Sequence, residues 1–174
     1  SIVGEVYETK KNGTLKVLSY KSCAEIEVQF LLTGYKTTVS KRNILSGNVK
    51  DYYSPSVYGV GFMGDGIHKT RKCESNPCYK AWSSMLQRCY SDKYKGTSYE
   101  GCTVDPYWHN YQNFAEWYKP RYYKGCELDK DLLIPHNKVY SENSCTLIPK
   151  TVNSALTHKN EDTLGYSIRE NGNY

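Results

Sequence analysis

The sequence has no long apolar run. Nowhere in its 174 residues do the roughly 20 successive apolar residues needed to cross a bilayer occur, and no secretory signal opens it. A membrane span is therefore not expected, and a cytoplasmic setting is. Phenylalanine and methionine are scarce, at three and two residues, so the core cannot be built mainly from them. A dominant charge is missing as well. The 23 Lys and Arg face 18 Asp and Glu, for a net +5. The excess is spread: residues 1–58 hold eight basic against five acidic side chains, and residues 59–158 hold thirteen against ten. This excludes a polycationic tail and suits contact with phosphate without requiring it. The seven cysteines are an odd number, and without a signal peptide a complete disulfide framework is not expected. Cys73 and Cys78, with four residues between them, have the spacing of half a zinc site. No second compact pair follows, since Cys89, Cys102, Cys126 and Cys145 are scattered. Buried free thiols are the expectation, and a structural zinc drawing on several of them is the alternative.

Tyrosine takes the place of the missing phenylalanine, with 18 residues. A ring with a hydroxyl suits half-buried positions and polar surfaces. In Tyr118-Lys119-Pro120-Arg121-Tyr122-Tyr123-Lys124 the rings alternate with cations, the composition of a face that stacks bases and holds phosphates. Lys119, Arg121 and Lys124, with Lys138 further along, are the candidate nucleic-acid contacts. A small core that uses Tyr for Phe would give the same composition.

Residues 1–58 read as a small all-β module. Short runs such as Leu15–Tyr20 and Ala24–Phe30 are separated by turn signals at Lys11-Asn12-Gly13 and Thr33-Gly34. The second of these runs alternates apolar and polar residues cleanly. Strands this short can curl into a barrel-like sheet. Residues 51–66, with Ser54-Pro55-Ser56 and glycines at 59, 61, 64 and 66, read as a connector. Two amphipathic helices follow. One begins at Asn76-Pro77 and carries Tyr79, Trp82, Leu86 and Cys89; the other runs from about Asn110 to Trp117. A hairpin arm is expected between them at Tyr99–Val104. A last helix should run from about Pro149 to His158 with Val152 and Leu156 turned inward.

The most informative stretch lies before that helix. Glu127-Leu128-Asp129-Lys130-Asp131 reads as a strand carrying acids. A loop with His136 follows, then a second strand over 137–141, then a helix bearing Asn153. Side chains two apart on a strand share a face, which groups Asp131 with Asp129. Taken alone, these acids would simply pair with Lys130 and Lys138 on an exposed strand.

Residues 79–157 resemble the HNH-type (ββα-metal) endonucleases and nuclease-like proteins of bacteriophages. The features are Tyr79-x-x-Trp82-x-x-Met85-x-x-Arg88-Cys89-Tyr90, Tyr99-x-Gly101, Trp108 with Phe114, Leu128-Asp129-Lys130-Asp131, Lys138-x-Tyr140-Ser141 and Asn153. The resemblance implies an α+β protein with an N-terminal β-barrel-like module (1–58) and an HNH-like ββα-metal domain with flanking helices (59–158). It also implies a tail (159–174), whose Leu164-Gly165-Tyr166-Ser167 looks like the start of a truncated Apetala-type DNA-binding repeat. By the same resemblance Asp129 and Asn153 bind one divalent cation, magnesium or manganese, with Asp131 as a further candidate ligand. The family's general base is a His immediately after the acid, and Lys130 stands there instead. The family's middle Asn falls at or beside Ser144. Lys130 could act as a neutral base or grip a phosphate, and the loop residue His136 could replace the base. The implied activity is hydrolysis of DNA. The alternatives are a nucleic-acid-binding protein without catalysis, and a phage protein that binds a host protein such as a defence enzyme.

Overall fold

The computed structural model of the chain describes residues 2–70 and 76–162, with side chains as far as Leu156. The chain is a mixed α+β protein of two compact units, Ser1–Cys73 with Pro106–Phe114, and Glu74–Asp105 with Ala115–Tyr174.

The first unit is built on an antiparallel meander of β1 (Val6–Glu8), β2 (Thr14–Ser22), β3 (Glu25–Phe30) and β4 (Lys36–Val39), in the order β1-β2-β3-β4. Alternation on β3 turns Ile26, Val28 and Phe30 to one side, and all three are fully buried. Val28 and Phe30 face Val17 and Leu15 across the β2–β3 ladder. Ile44, from the short helix α1 (Lys41–Leu45), and Val49 complete this core. The Ser40 hydroxyl caps α1 by accepting from Asn43 N–H. The edge strands β1 and β4 are three and four residues long and do not pair with each other. The sheet is therefore open, where the sequence suggested a barrel-like closure; closing a barrel requires every strand to have a partner on both sides.

The segment expected to be a connector is an integral part of this unit. The buried Asp51 carboxylate accepts from Thr33 Oγ1 at 2.6 Å and from Tyr53 N–H at 2.9 Å. Tyr35 packs against Tyr52 and Tyr53, and Tyr53 against Phe62. Phe62 and the later segment around Asn110 are joined through two backbone bonds, Phe62 N–H to His109 O and Tyr111 N–H to Phe62 O, each 2.9 Å. The Gln112 side chain donates to the carbonyls of Met63 and His68 and accepts from His68 N–H. Gly64 sits at φ +65 where a Cβ would fall 2.1 Å from Asn110 Oδ1, and only glycine meets both demands. Its neighbours explain why the Gly-rich stretch is fixed in place.

In the second unit α2 (Pro77–Tyr90) starts as expected. Asn76 caps it by accepting from Tyr79 N–H, and Pro77 occupies the first turn. Its inward stripe is Cys78, Trp82, Met85 and Leu86, while Tyr79 and Cys89 are half-buried. Tyr99–Val104 does not form a hairpin. Instead β5 (Thr103–Val104) pairs in parallel with β7 (Val139–Tyr140). Helix α3 (Tyr111–Tyr118), whose residues up to Phe114 belong to the first unit, matches the predicted second helix. The strand β6 (Cys126–Asp129) pairs antiparallel with β8 (Thr146–Pro149), and α4 (Lys150–Asp162) follows and packs against both. The strand beside β6 is thus Thr146–Pro149, and the 137–141 run expected in that place pairs instead with β5. On α4, Val152 and Leu156 are 42% and 36% exposed; Asn153, not they, faces the strands. The tail from residue 163, with Leu164–Ser167, and Cys73 of the zinc-like pair lie outside the described residues.

The six described cysteines are free thiols, and Cys78, Cys102 and Cys145 are buried. Burial pushes the Cys89 thiol up to about 12 and the Cys145 thiol up to about 11, from an ordinary value of 9.0. The sign follows directly. Above about pH 9 the unfolded chain releases these protons while the folded chain keeps them, so the unfolded state gains and stability falls until the folded thiols ionise too. Melting temperature is expected to decline from pH 9 towards 11, and less steeply in a Cys89→Ala/Cys145→Ala variant. Parallel melting curves for the two proteins over this range would show these thiols to be uninvolved.

Candidate nucleic-acid and cation site

The ββα order places three oxygen-bearing side chains on one face. Glu127 and Asp129 are two apart on β6 and point the same way, opposite Ile148 and Thr146 of β8. From α4, Asn153 reaches the same face and its Nδ2 donates to Glu127 Oε2 at 2.9 Å. Glu127 was not singled out from sequence, although the rule that grouped Asp131 with Asp129 also groups Glu127 with it. The strand ends at Asp129, so alternation runs back to Glu127 and not on to Asp131.

Asp129 Oδ1 accepts from the backbone N–H of Asp131 at 3.1 Å and of Leu132 at 2.6 Å. Both bonds use the same oxygen, so Oδ2 is the atom with which Asp129 could hold a cation. Two carboxylates and an amide form an oxygen donor set, which fits a hard divalent ion better than zinc. Among the described residues no group of three or more His, Cys, Asp or Glu is placed to hold a metal. The donor set here contains only two such residues; Asn153 presents its Nδ2 to Glu127, and its Oδ1 would be the third oxygen.

Lys130 is buried at 7% exposure. Its ammonium donates to Asp131 Oδ1, Asp131 Oδ2 and Asn137 O, each at 2.7 Å. An ammonium has three protons to donate, and here all three are donated inside the protein. The Asp131 carboxylate is engaged with this lysine. The Asn137 side chain completes the closure by donating to Lys130 O and Val139 O and accepting from Val139 N–H. Residues 130–137 are therefore a loop tied at its base, and its tip exposes Leu132, Leu133 and Ile134 at 45%, 56% and 48%. His136 lies in this loop, exposed and at φ +60. Ser144 is buried; its hydroxyl donates to Val139 O and accepts from Ser141 N–H, which shapes the turn before β8.

The expected nucleic-acid contacts divide. Lys138 is exposed and donates to the carbonyls of Ser98 and Glu100, both at 3.0 Å. Arg121 lies 5.1 Å from the Trp117 ring and donates to Trp117 O at 2.7 Å. Lys119 and Lys124 are exposed. Of the neighbouring tyrosines, Tyr118 is buried and stacks on Tyr122, while Tyr122 and Tyr123 are about two-fifths exposed.

Several residues that carried the resemblance are spent on one another. Arg88 packs on the Tyr99 ring at 5.4 Å and hydrogen-bonds Tyr140, whose hydroxyl is pushed well above its ordinary value by burial. The Tyr90 hydroxyl accepts from Val104 N–H at 3.0 Å, tying α2 to β5. These motif residues position the loop 91–101 and the β5–β7 pair. Searched against protein-family models, curated proteins and solved structures, the chain matches none.

Proposed function

We propose that the chain is an HNH-like endonuclease that hydrolyses DNA with one divalent metal, magnesium or manganese, held by Asp129, Glu127 and Asn153. The observation that supports it is the Asn153–Glu127 bond on the face of β6 that also carries Asp129. Strand, strand and helix converge there in the order a ββα-metal finger requires. A cation so held supplies Lewis-acid polarisation of a phosphoryl oxygen and stabilises the departing oxygen. The protein's own part is to fix the three donors. Asp129 is oriented by two backbone N–H groups, and Glu127 and Asn153 are held next to each other by the bond from Asn153 Nδ2 to Glu127 Oε2. In this reading Lys130 is not the base, since its protons are all committed. The exposed His136 is the remaining candidate from the sequence.

Incubation with supercoiled plasmid and either ion is expected to yield nicked product. Asp129→Ala and Asn153→Ala should each reduce the rate by at least about 10–100-fold, the scale of losing a group that holds or orients a metal. Undiminished nicking by Asp129→Ala would exclude the site.

A second reading draws on the engagement of Lys130 with Asp131 and Asn137: the finger binds DNA and does not cut it. In that case the plasmid stays supercoiled while a gel-shift assay shows a complex. The third expectation, a host protein as partner, gains no specific observation.

A further inference from the structure

The segment between α3 and β6 is exposed from Lys119 to Gly125 and is held at both ends. Lys119–Arg121 form a short helical turn after α3, closed by Tyr122 N–H donating to Lys119 O at 3.3 Å. At the far end Gly125 O accepts from Lys150 N–H at 3.1 Å. The two rings between these points are fixed from within. Tyr122 stacks on the buried Tyr118 ring, with centroids 5.6 Å apart and planes 25° from parallel. The Tyr123 hydroxyl donates to Leu147 O at 3.5 Å. Cations stand beside the rings in the same segment: Lys119 and Lys124 are exposed, and the Arg121 guanidinium lies over the Trp117 ring. We propose that this segment is a platform for an unpaired nucleic-acid strand, whose bases stack on Tyr122 and Tyr123 and whose phosphates lie against Lys119, Arg121 and Lys124. The inference rests on the nucleic-acid part of the reading above, names the form of that nucleic acid, and needs no bound cation.

Charge selects the class of partner. From Trp117 to Cys126 the chain carries three cations and no acid. The flanking acids are Glu116, exposed on α3, and Glu127, whose carboxylate accepts from Asn153. A polyanion is the complement of such a segment. The rings then separate one polyanion from another. An acidic peptide satisfies the cations through charge alone, and so does a duplex, in which neighbouring bases cover one another's faces. An unpaired strand offers both phosphates and open base faces, and each base stacked on an aromatic ring adds affinity whatever its identity. Tyr122 suits this role because its contact with Tyr118 orders the ring in advance, so less freedom is lost when a base is laid on its exposed part.

The test follows the anisotropy of fluorescein-labelled strands with the full chain in EDTA. The probes are an oligothymidylate of about 15 nucleotides, the same backbone made of abasic sites, and the matching duplex. The parent is expected to bind the oligothymidylate about tenfold or more tighter than the abasic strand, the scale of base stacking on a ring, and tighter than the duplex. Tyr122→Ala/Tyr123→Ala should remove the preference, so that the two strands bind alike. Tyr122→Phe/Tyr123→Phe keeps the rings and should retain it. Circular dichroism with thermal melting verifies that each variant folds as the parent does. Lys124→Gln should keep the preference and lower the slope of log affinity against log salt by about 0.7, the single-strand value for one phosphate. With no divalent cation in the assay, failure of the cation site does not touch its outcome, and loss of nicking and loss of this preference are read apart. Equal affinity of the parent for the thymidylate and abasic strands, or a tighter hold on the duplex, would overturn the platform and leave DNA binding standing. An unchanged preference in the double alanine variant would do the same. Polyglutamate displacing the strand as effectively as unlabelled oligothymidylate would overturn it in favour of an acidic protein. A parent chain that binds no nucleic acid would overturn both readings.

Discussion

Asp131→Ala is expected to destabilise the second unit by roughly 3 kcal/mol, more than loss of the lysine it contacts. The order is opposite to what exposure suggests, because the Asp131 side chain is 49% exposed and that of Lys130 only 9%. Removing the carboxylate strands an ammonium in a buried position with one carbonyl, Asn137 O, as its partner. Lys130→Met removes the charge along with its bonds, and Asp131 can then turn to water. That variant should cost about 1–2 kcal/mol, the scale of charge-assisted bonds lost without a stranded ion. Urea unfolding of the two single variants and the double variant gives the coupling directly. A smaller effect for Asp131→Ala than for Lys130→Met would mean that the ammonium reaches solvent. The same variant separates the earlier expectations for this lysine. If Lys130 gripped a phosphate, Lys130→Met would lower the slope of log affinity against log salt by about 0.9. With the ammonium committed internally, the slope should not change.

Trp82→Ala should be costlier still, about 3–5 kcal/mol. The ring is fully buried in α2, next to Tyr79 at a centroid distance of 5.8 Å. Cys78, Met85 and Leu86 share its stripe and are buried with it, so the truncation leaves a cavity in a packed core. Helicity followed in denaturant is the suitable measurement, since Trp108 and Trp117 would still dominate fluorescence. Trp82→Phe, which keeps most of the volume, should recover much of the loss. Equal losses for Phe and Ala would point to a role for the indole beyond filling space.

These two sites also show how far the sequence could be read. Helix α2 was legible because its signals are local: a capping Asn, a Pro in the first turn and apolar residues at helical spacing. The alternation of β3 and the stop of α3 before Pro120 are legible for the same reason. What was not legible depends on partners distant in the chain. The 137–141 run has a strand's composition, but nothing in it indicates that it pairs with Thr103–Val104 and leaves the finger to Thr146–Pro149. The glycines of 51–66 resemble a linker until Asn110 and Gln112, more than 40 residues later, are brought against them. At the candidate site Asp129 and Asn153 were named from the resemblance, and the structure brings their elements, β6 and α4, together. Glu127 was passed over because the strand was extended one residue pair too far. The environment of Lys130 could not be anticipated, since two of its three acceptors belong to a side chain next door that looked free to bind metal.

The bonds from Gln112 to Met63 and His68 span 49 and 44 residues. On a ribosome that distance is time. At about 5–20 residues per second, residue 112 is made roughly 2–10 s after the segment it secures. The β1–β4 meander can form as it emerges, whereas Tyr53, Phe62 and the glycines behind them must wait with their aromatic faces uncovered. Slow codons or a pause between these points would lengthen that exposure, and a nascent chain halted before residue 106 would present the meander without the segment that closes its unit.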